Sequence, residues 1–308
     1  MNFTETKQRR RYLFLGLFIV IALACIAACS AVEPGVTSSP TLSPAPTSAA
    51  GEKTAASVWL DKARGAAKGM NKYGFELQMN QKLTGTREAN NAIVKIDMIG
   101  RAERNPLKLD QTINSEIDGE TSKLRSIVVP DAYYMYLPEI EEWSKLSKDV
   151  SEENIKTLSD FQVNPEKALE DIQALGSSFQ AVQTGDVITL RYEGVGPEAK
   201  VFLAGILEST MGLSGMETTI QESIDLTRLK VILTLDAHKH WPLSYRIESD
   251  MSIEFEPGQK SAVLQTLAGT YSKHNTSTAV TVPKDAQNAI DPDKMEEELD
   301  LGELEGGS

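Results

Sequence analysis

The sequence predicts an exported α+β domain that is built around an antiparallel sheet. Apolar and polar residues alternate with a period of two over several long segments, as in strands with one dry and one wet face. Segments with helical spacing stand at the start and in the middle of the domain, apart from most of the strands. A targeting segment precedes all of them, which places the domain outside the cytoplasm.

The first 28 residues have the pattern of a lipoprotein signal peptide. A basic cluster at residues 7–11 precedes an uncharged apolar run over residues 12–28, and Ile26-Ala27-Ala28-Cys29 matches a lipobox. We therefore expect lipidation at Cys29 by a diacylglyceryl group, which supplies two acyl chains such as palmitate. Two acyl chains suffice for stable anchoring on the outer face of the bacterial cytoplasmic membrane. Two alternatives stay open: an uncleaved membrane helix, and use of Cys25, which fits the lipobox less well.

Residues 29–52 are rich in Pro, Ser, Thr and Ala, which is typical of a flexible linker. Both cysteines lie within the first 29 residues, so a mature domain has no disulfide and depends on its core. The net charge of −13 becomes about −16 without the signal peptide, which carries four basic residues and one acid. Such a charge argues against nucleic acid and anionic lipid headgroups as partners of the domain.

The folded domain is expected to span residues 53–290. A helix is predicted from about Thr54 to Tyr73, because apolar residues recur there every three or four positions. Strands follow, and their apolar positions are Phe75, Leu77, Met79, Val94, Ile96, Met98, Leu107, Leu109, Ile113 and Ile117. A hairpin is predicted over residues 124–137 around Pro130-Asp131.

A middle helical section is predicted over residues 150–176, with a helix that starts at Asn164-Pro165 and stops near Gly176. A second hairpin around Gly185-Asp186 and a helix over residues 197–210 follow. The most regular strands come last, at residues 229–235, 243–255 and 263–271. Residues 291–308 contain eight acids against Lys294 and predict a disordered acidic tail.

The order of these elements, with the segments YYMYLPEIEEWSKL and YSKHNTSTAVTVPKDAQNA, resembles the LolA/LppX-like superfamily. More closely, it is similar to a family of uncharacterised Gram-positive surface lipoproteins of that architecture. The resemblance covers residues 53–290. It implies a strongly curved antiparallel half-barrel that helices close on its concave face, with acyl chains held between sheet and helices. The long middle helical section and the acidic tail depart from the family pattern.

The sequence offers little for catalysis or metal binding. His238 and His240 could start a metal site, but their neighbours predict an exposed turn. Ser214 lacks the second glycine of a nucleophile elbow. Glu139, Glu141 and Glu142 could pair as acid and base, and are more simply explained as a solvated edge. We expect no catalytic residue, no metal and no cofactor, and hence no enzyme.

Two functions remain. The first is a tethered lipoprotein that holds a hydrophobic or lipid-like ligand in the cavity between sheet and helices. Its expected lining consists of the apolar positions of three predicted strands: Phe75, Leu77, Met79, Val94, Ile96, Met98, Leu243, Tyr245, Ile247, Met251 and Ile253. The second is a surface sensor or protein-interaction module with a solid core. The aromatic residues Tyr133, Tyr134, Tyr136 and Trp143 fit strand packing better than a binding platform.

Overall fold

A computed structural model describes residues 55–291 except 88–89, 177, 212–217 and 257. The strands of this part are β1 (Lys72–Thr84), β2 (Ala92–Arg104), β3 (Leu107–Ile117), β4 (Glu120–Val129), β5 (Ala132–Leu137), β6 (Glu142–Lys145), β7 (Gln180–Thr184), β8 (Val187–Glu193), β9 (Asp225–Asp236), β10 (Pro242–Glu256) and β11 (Gln259–Ser272). The helices are α1 (Ala55–Lys68), α2 (Lys148–Lys156), α3 (Asp160–Val163), α4 (Pro165–Gln173), α5 (Pro197–Met211), α6 (Thr218–Glu222) and α7 (Lys284–Gln287). The predicted signal peptide, linker and Cys29 lie outside the described residues, as do Ser214 and the tail beyond Asp291.

All the described strands belong to one antiparallel sheet, which confirms the prediction of an antiparallel sheet. Their order is β6-β5-β4-β3-β2-β1-β11-β10-β9-β8-β7, so that most neighbours in sequence are neighbours in space. The two end strands do not pair with each other, and the sheet is therefore open. Both edges are short, with four residues in β6 and five in β7.

One face of the sheet carries the hydrophobic core, and we call it the core face. In the central strand β1, Phe75, Leu77 and Met79 point to this face and are buried. The partners of Leu77 are Met98 on β2 and Gly269 on β11, and the apolar parity continues onto β10 at Tyr245. Helix residues complete the same cluster, and they include Leu60, Ala63, Phe161, Leu169, Ile172, Leu203 and Leu207.

Hydrogen bonds attach the helices to one end of the sheet, where β1 and β10 begin and β2, β9 and β11 end. We call this the lower end of the strands. Tyr73 on β1 and Tyr271 on β11 donate their hydroxyls to the carbonyl oxygens of Gln162 and Phe161, at 2.8 and 2.7 Å. Arg104 on β2 donates to the Ala67 carbonyl at the end of α1, at 2.8 Å, and also to Asn164. These bonds satisfy carbonyls at helix ends, which lack a partner inside the helix.

The opposite face, which we call the outer face, is partly covered by the C-terminal segment (residues 273–291). Arg101 donates to Thr278 Oγ1 at 2.7 Å, and the backbone N–H of Val280 donates to Glu103 Oε1 at 2.6 Å. The segment reaches the sheet edge, where Asp291 pairs with Lys145. Below it, Asp110 accepts hydrogen bonds from Arg101 and Arg125 and is nearly buried.

The predicted helices and hairpins are confirmed, with differences at their ends. Helix α1 stops at Lys68 rather than near Tyr73, since Gly69 favours a helix end and Asn71 N–H already bonds the Asn275 side chain. The middle helical section is three short helices, and α4 starts at Pro165 as predicted. The short elements β6, α6 and α7 were not predicted. Glu141 lies in the turn before β6 with a positive φ of 55°.

Candidate functional site

The eleven expected lining residues belong to three strands, β1, β2 and β10, and all but Leu243 lie on the core face. Seven of them are buried: Phe75, Leu77, Met79, Tyr245, Ile247, Met251 and Ile253. Four are half-buried: Val94, Ile96, Met98 and Leu243. Leu243 lies at a β-bulge, where the register of β10 against β9 shifts between Pro242 and Ser244.

The interior between helix α4 and the core face is close-packed. A cavity beneath Phe161, Leu169 and Tyr245 has a volume of about 10 Å³, which is roughly the space that one water molecule needs. The ring centroids of Phe161 and Tyr245 are 4.3 Å apart, and Tyr245 also contacts Tyr271 at 5.9 Å. The side chains fill this part of the interior, and the more accessible apolar surface lies elsewhere on the same face.

That surface is a strip of aliphatic side chains on β2, β3 and β4, which we call the apolar strip. Its members are all half-buried: Val94, Ile96, Met98, Ile113, Ile117 and Leu124. They are contiguous, because Val94 lies opposite Ile117, and Ile113 lies between Met98 and Leu124. Helix α3 reaches one end of the strip, where Gln162 Nε2 donates to Met98 Sδ at 3.0 Å.

Two glutamines continue the strip toward the centre of the sheet. Gln81 lies opposite both Val94 and Gln265, and all three side chains share the core face. Gln81 and Gln265 are only 6 and 4% exposed, yet Gln81 Nε2 and Gln265 Oε1 have no hydrogen-bond partner. The other amide atom of Gln265, Nε2, donates to Thr210 Oγ1 at 2.9 Å. A buried donor and acceptor without partners are costly for stability and are suited to hold a polar group.

The sequence reading did not single out these glutamines, although a signal was present. Gln81 follows Phe75, Leu77 and Met79 at the same parity, and Gln265 stands between Val263 and Leu267. A long polar side chain at an apolar position of a strand indicates either a hydrogen-bonded core group or a binding group. The sequence does not show that both side chains are buried and that each leaves one amide atom without a partner.

The outer face holds a different concavity, a groove of about 340 Å³ across β2, β1, β11, β10 and β9. Its walls are mixed in charge, with Lys82, Arg228, Glu248 and Asp250 among them. Glu248 accepts hydrogen bonds from Arg246 and Arg228, at 2.6 and 2.9 Å. The Arg246 contact, supported by the neighbouring cations, holds the pKa of Glu248 below its usual value.

The predicted aromatic residues divide between the two faces. Tyr133 is buried on the core face, whereas Tyr134, Tyr136 and Trp143 are half-buried on the outer face. The rings of Tyr136 and Trp143 are 5.2 Å apart. The Arg125 guanidinium lies 5.6 Å from the Trp143 ring. This is cross-strand packing, as the sequence predicts.

His238 and His240 lie in the turn between β9 and β10 and have different partners. His238 Nε2 lies 3.0 Å from Asp186 Oδ1, whereas the His240 ring packs on Trp59 at 5.4 Å. Within the part of the chain that the structure describes, no three His, Cys, Asp or Glu side chains come together as a metal site requires. None of the helices in the described ranges is both long and apolar enough to cross a bilayer.

Comparisons with solved structures give weak likenesses. A DUF1329 family protein from Desulfovibrio piger aligns with 11% identity and a TM-score of 0.23, over 68% of this chain and 91% of that chain. A β-barrel-like DUF1849 protein from Brucella abortus aligns with 9% identity and a TM-score of 0.18, over 65 and 94%. The ywiB protein from Bacillus subtilis aligns with 11% identity and a TM-score of 0.16, over 69 and 98%.

The search of curated proteins returned no significant match. The model of one protein family matches residues 55–291, which is the whole described domain. The chain belongs to this family, the family of unknown function DUF6612.

Proposed function

We propose that this chain is a membrane-tethered, non-catalytic binding protein that holds a hydrophobic, lipid-like ligand on the apolar strip. One observation carries the proposal. The core face packs against residues of helices α1, α3, α4 and α5 and continues past α3 as six apolar side chains that stay half-buried. Contiguous apolar surface that a domain leaves accessible marks binding sites more often than chance.

The two glutamines supply the polar end of such a site. An acyl chain along Val94, Ile96 and Ile117 brings its polar group next to Gln81. The free Nε2 of Gln81 donates to a ligand oxygen, and the free Oε1 of Gln265 accepts from a ligand hydroxyl or amide. The ligand class is therefore amphipathic, with a long apolar part and a small head that both donates and accepts.

The resemblance to the LolA/LppX-like superfamily supports the same ligand class. It also supports a curved sheet whose concave side the helices cover, with the apolar strip as the accessible part of that side. The departure from the family pattern is the middle helical section, since α3 and α4 fill the space beside Tyr245.

Tethering through Cys29 is the second part of the proposal. When the chain is produced in a Gram-positive host with labelled palmitate, we expect the label in the wild type and none in Cys29→Ala. The physical reason is that the Cys29 thiol is the lipobox nucleophile that takes the diacylglyceryl group, whose acyl chains carry the label. A Cys25→Ala variant is the matched control and should keep the label. Equal labelling of the wild type and Cys29→Ala contradicts the proposal.

Ligand binding is tested at Ile113, the centre of the apolar strip. We expect the full chain to bind a dansyl-labelled long-chain fatty acid, and Ile113→Gln to weaken binding about tenfold, because one aliphatic side chain contributes about 1.5 kcal/mol or more of contact. Ile99→Gln is the control, since Ile99 is on β2 but faces the other side and is 55% exposed. Dansyl fluorescence measures both affinities.

Two results contradict the ligand site. The first is an absence of both dansyl-probe binding and co-extracted apolar molecules, and the second is an equal loss of affinity in Ile113→Gln and Ile99→Gln. The close-packed interior beside Tyr245 and the charged outer groove then favour the second candidate, a protein-interaction module with a solid core.

A further inference from the structure

One end of the domain carries two tryptophans and two lysines in a single cluster. We call it the rim, and its members are Trp59, Lys62, Lys239, His240, Trp241 and His274. The turn between β9 and β10 joins them, since His240 packs on Trp59 at 5.4 Å and Trp241 stacks on His274 at 4.7 Å. Both tryptophans are half-buried, whereas both lysines are exposed.

Each lysine lies over a tryptophan ring. Lys62 Nζ is 4.4 Å from the Trp59 ring, and Lys239 Nζ is 4.9 Å from the Trp241 ring. The aromatic rings, with their amphipathic character, and the long lysine side chains are the residue types that prefer the boundary between lipid headgroups and acyl chains. The rim combines them at one place on the surface.

The rim is also next to the point where the tether enters the domain. The described chain begins with α1 at Ala55, four residues before Trp59. A flexible chain as long as residues 30–54 has a root-mean-square length of about 28 Å. A tether from Cys29 therefore keeps the rim close to the bilayer, so that even weak membrane affinity leads to contact.

The charge of the rim differs from that of the whole chain. The chain has a net charge of −13, but surface charges farther than about 8 Å are largely screened at physiological salt. At the rim itself, the exposed charged side chains over the two tryptophan rings are the cations Lys62 and Lys239. The acids of the turn are engaged locally, since Asp236 accepts from the backbone N–H groups of His238 and Lys239, and Asp186 contacts His238.

We propose that the rim docks on the anionic phospholipid surface to which the chain is tethered, with Trp59 and Trp241 in the headgroup region. The inference rests on the proposed lipidation of Cys29, which brings the domain to the bilayer. Docking fixes the orientation of the domain. Its strands then rise from the membrane, since the rim lies at the lower end of β1, β9, β10 and β11.

The test uses the full chain, lipidated and reconstituted in vesicles of phosphatidylglycerol with brominated acyl chains, which quench nearby tryptophan. The chain has three tryptophans, and Trp143 on β6 is distant from the rim along the sheet. We expect quenching in Trp143→Phe, which keeps both rim tryptophans. We expect none in Trp59→Phe/Trp241→Phe, which keeps only Trp143. In Trp143→Phe, the further change Lys62→Gln or Lys239→Gln should lower the docked equilibrium constant about fivefold each.

Flotation with the vesicles is measured in parallel and reports the lipid anchor alone. A chain that does not float contradicts lipidation and therefore the proposed function. A chain that floats without quenching of Trp59 and Trp241 overturns the rim proposal and leaves the tether intact. Quenching of Trp143 equal to that of the rim pair also overturns it, as does equal quenching in phosphatidylcholine vesicles. Far-ultraviolet circular dichroism of each variant verifies the fold.

Discussion

Above about pH 10, the domain is expected to lose stability steeply, because three buried tyrosines ionise only when the chain unfolds. Tyr73, Tyr245 and Tyr271 contact one another on the core face, and burial raises the pKa of each hydroxyl well above its usual value. Burial also raises the pKa of Tyr133 and Tyr192, which adds to the effect in the same direction.

The sign follows from proton linkage. Below the ordinary tyrosine pKa, the folded and unfolded chains bind the same protons at these hydroxyls, and the stability is unaffected. Above it, the unfolded chain releases protons that the folded chain retains, so the free energy of unfolding falls as the pH rises. Each buried tyrosine contributes about 1.4 kcal/mol per pH unit, and the three together about 4. Denaturant unfolding at a series of alkaline pH values measures the slope.

Tyr245→Phe is the informative variant. The Tyr245 hydroxyl has no hydrogen-bond partner among the described residues, whereas those of Tyr73 and Tyr271 bond helix carbonyls. The variant should therefore reduce the alkaline slope by about 1.4 kcal/mol per pH unit and leave the stability at neutral pH nearly unchanged. The explanation is wrong if the native protein shows tyrosinate absorbance from all its tyrosines near the ordinary pKa.

Gly100→Ala is expected to destabilise the domain by about 3 kcal/mol, because it overpacks a close contact inside the sheet. A Cβ at Gly100 would lie 2.7 Å from the Asp110 carbonyl oxygen and 2.8 Å from both Gln111 Cβ and Phe75 Cζ. The backbone of β3 cannot move without breaking its ladder, and Phe75 is buried directly opposite Gly100. Urea unfolding of the purified chain measures the change.

Gly65→Ala is the matched control for the same chemical change. Gly65 is an exposed residue inside helix α1, and a Cβ there would meet no atom within 4 Å. Alanine favours the helix over glycine by about 1 kcal/mol, so this variant should be more stable than the wild type. Similar destabilisation by both changes would mean that the contact at Gly100 is not the cause.

The strands were predictable where one local pattern was sufficient. Phe75, Leu77 and Met79 alternate with polar residues in sequence, and the same three side chains are buried on the core face. Periodicity assigned Leu243 to the same face as Tyr245. A β-bulge beside the pair of Pro242 and Leu235 shifts the register there, and a bulge leaves no trace in the alternation of residue types. The candidate site was predictable only in part. The alternation of apolar and polar residues identified Val94, Ile96 and Met98 as core-face residues, but it did not predict how far the helices leave these side chains exposed.

Contacts between distant parts of the chain were not predictable from local pattern. The polar parity of β2 predicts solvent exposure, but Arg101 and Glu103 bind Thr278 and Val280, 177 residues later. On the neighbouring strand, Ile127 is fully buried on that same outer face. Net charge has the same weakness, because it is a sum over the chain and cannot reveal that Lys62 lies over the Trp59 ring.

The short edges of the open sheet matter most if many copies share one membrane. Lipid-anchored chains are confined to two dimensions, where they collide far more often than free chains at the same copy number. A long bare edge strand would then template strand exchange between neighbours and start an ordered aggregate. Only four residues of β6 and five of β7 are offered for such pairing, and Lys145 at the end of β6 is engaged by Asp291. The fold can therefore be displayed densely on a bilayer and remain a set of separate molecules.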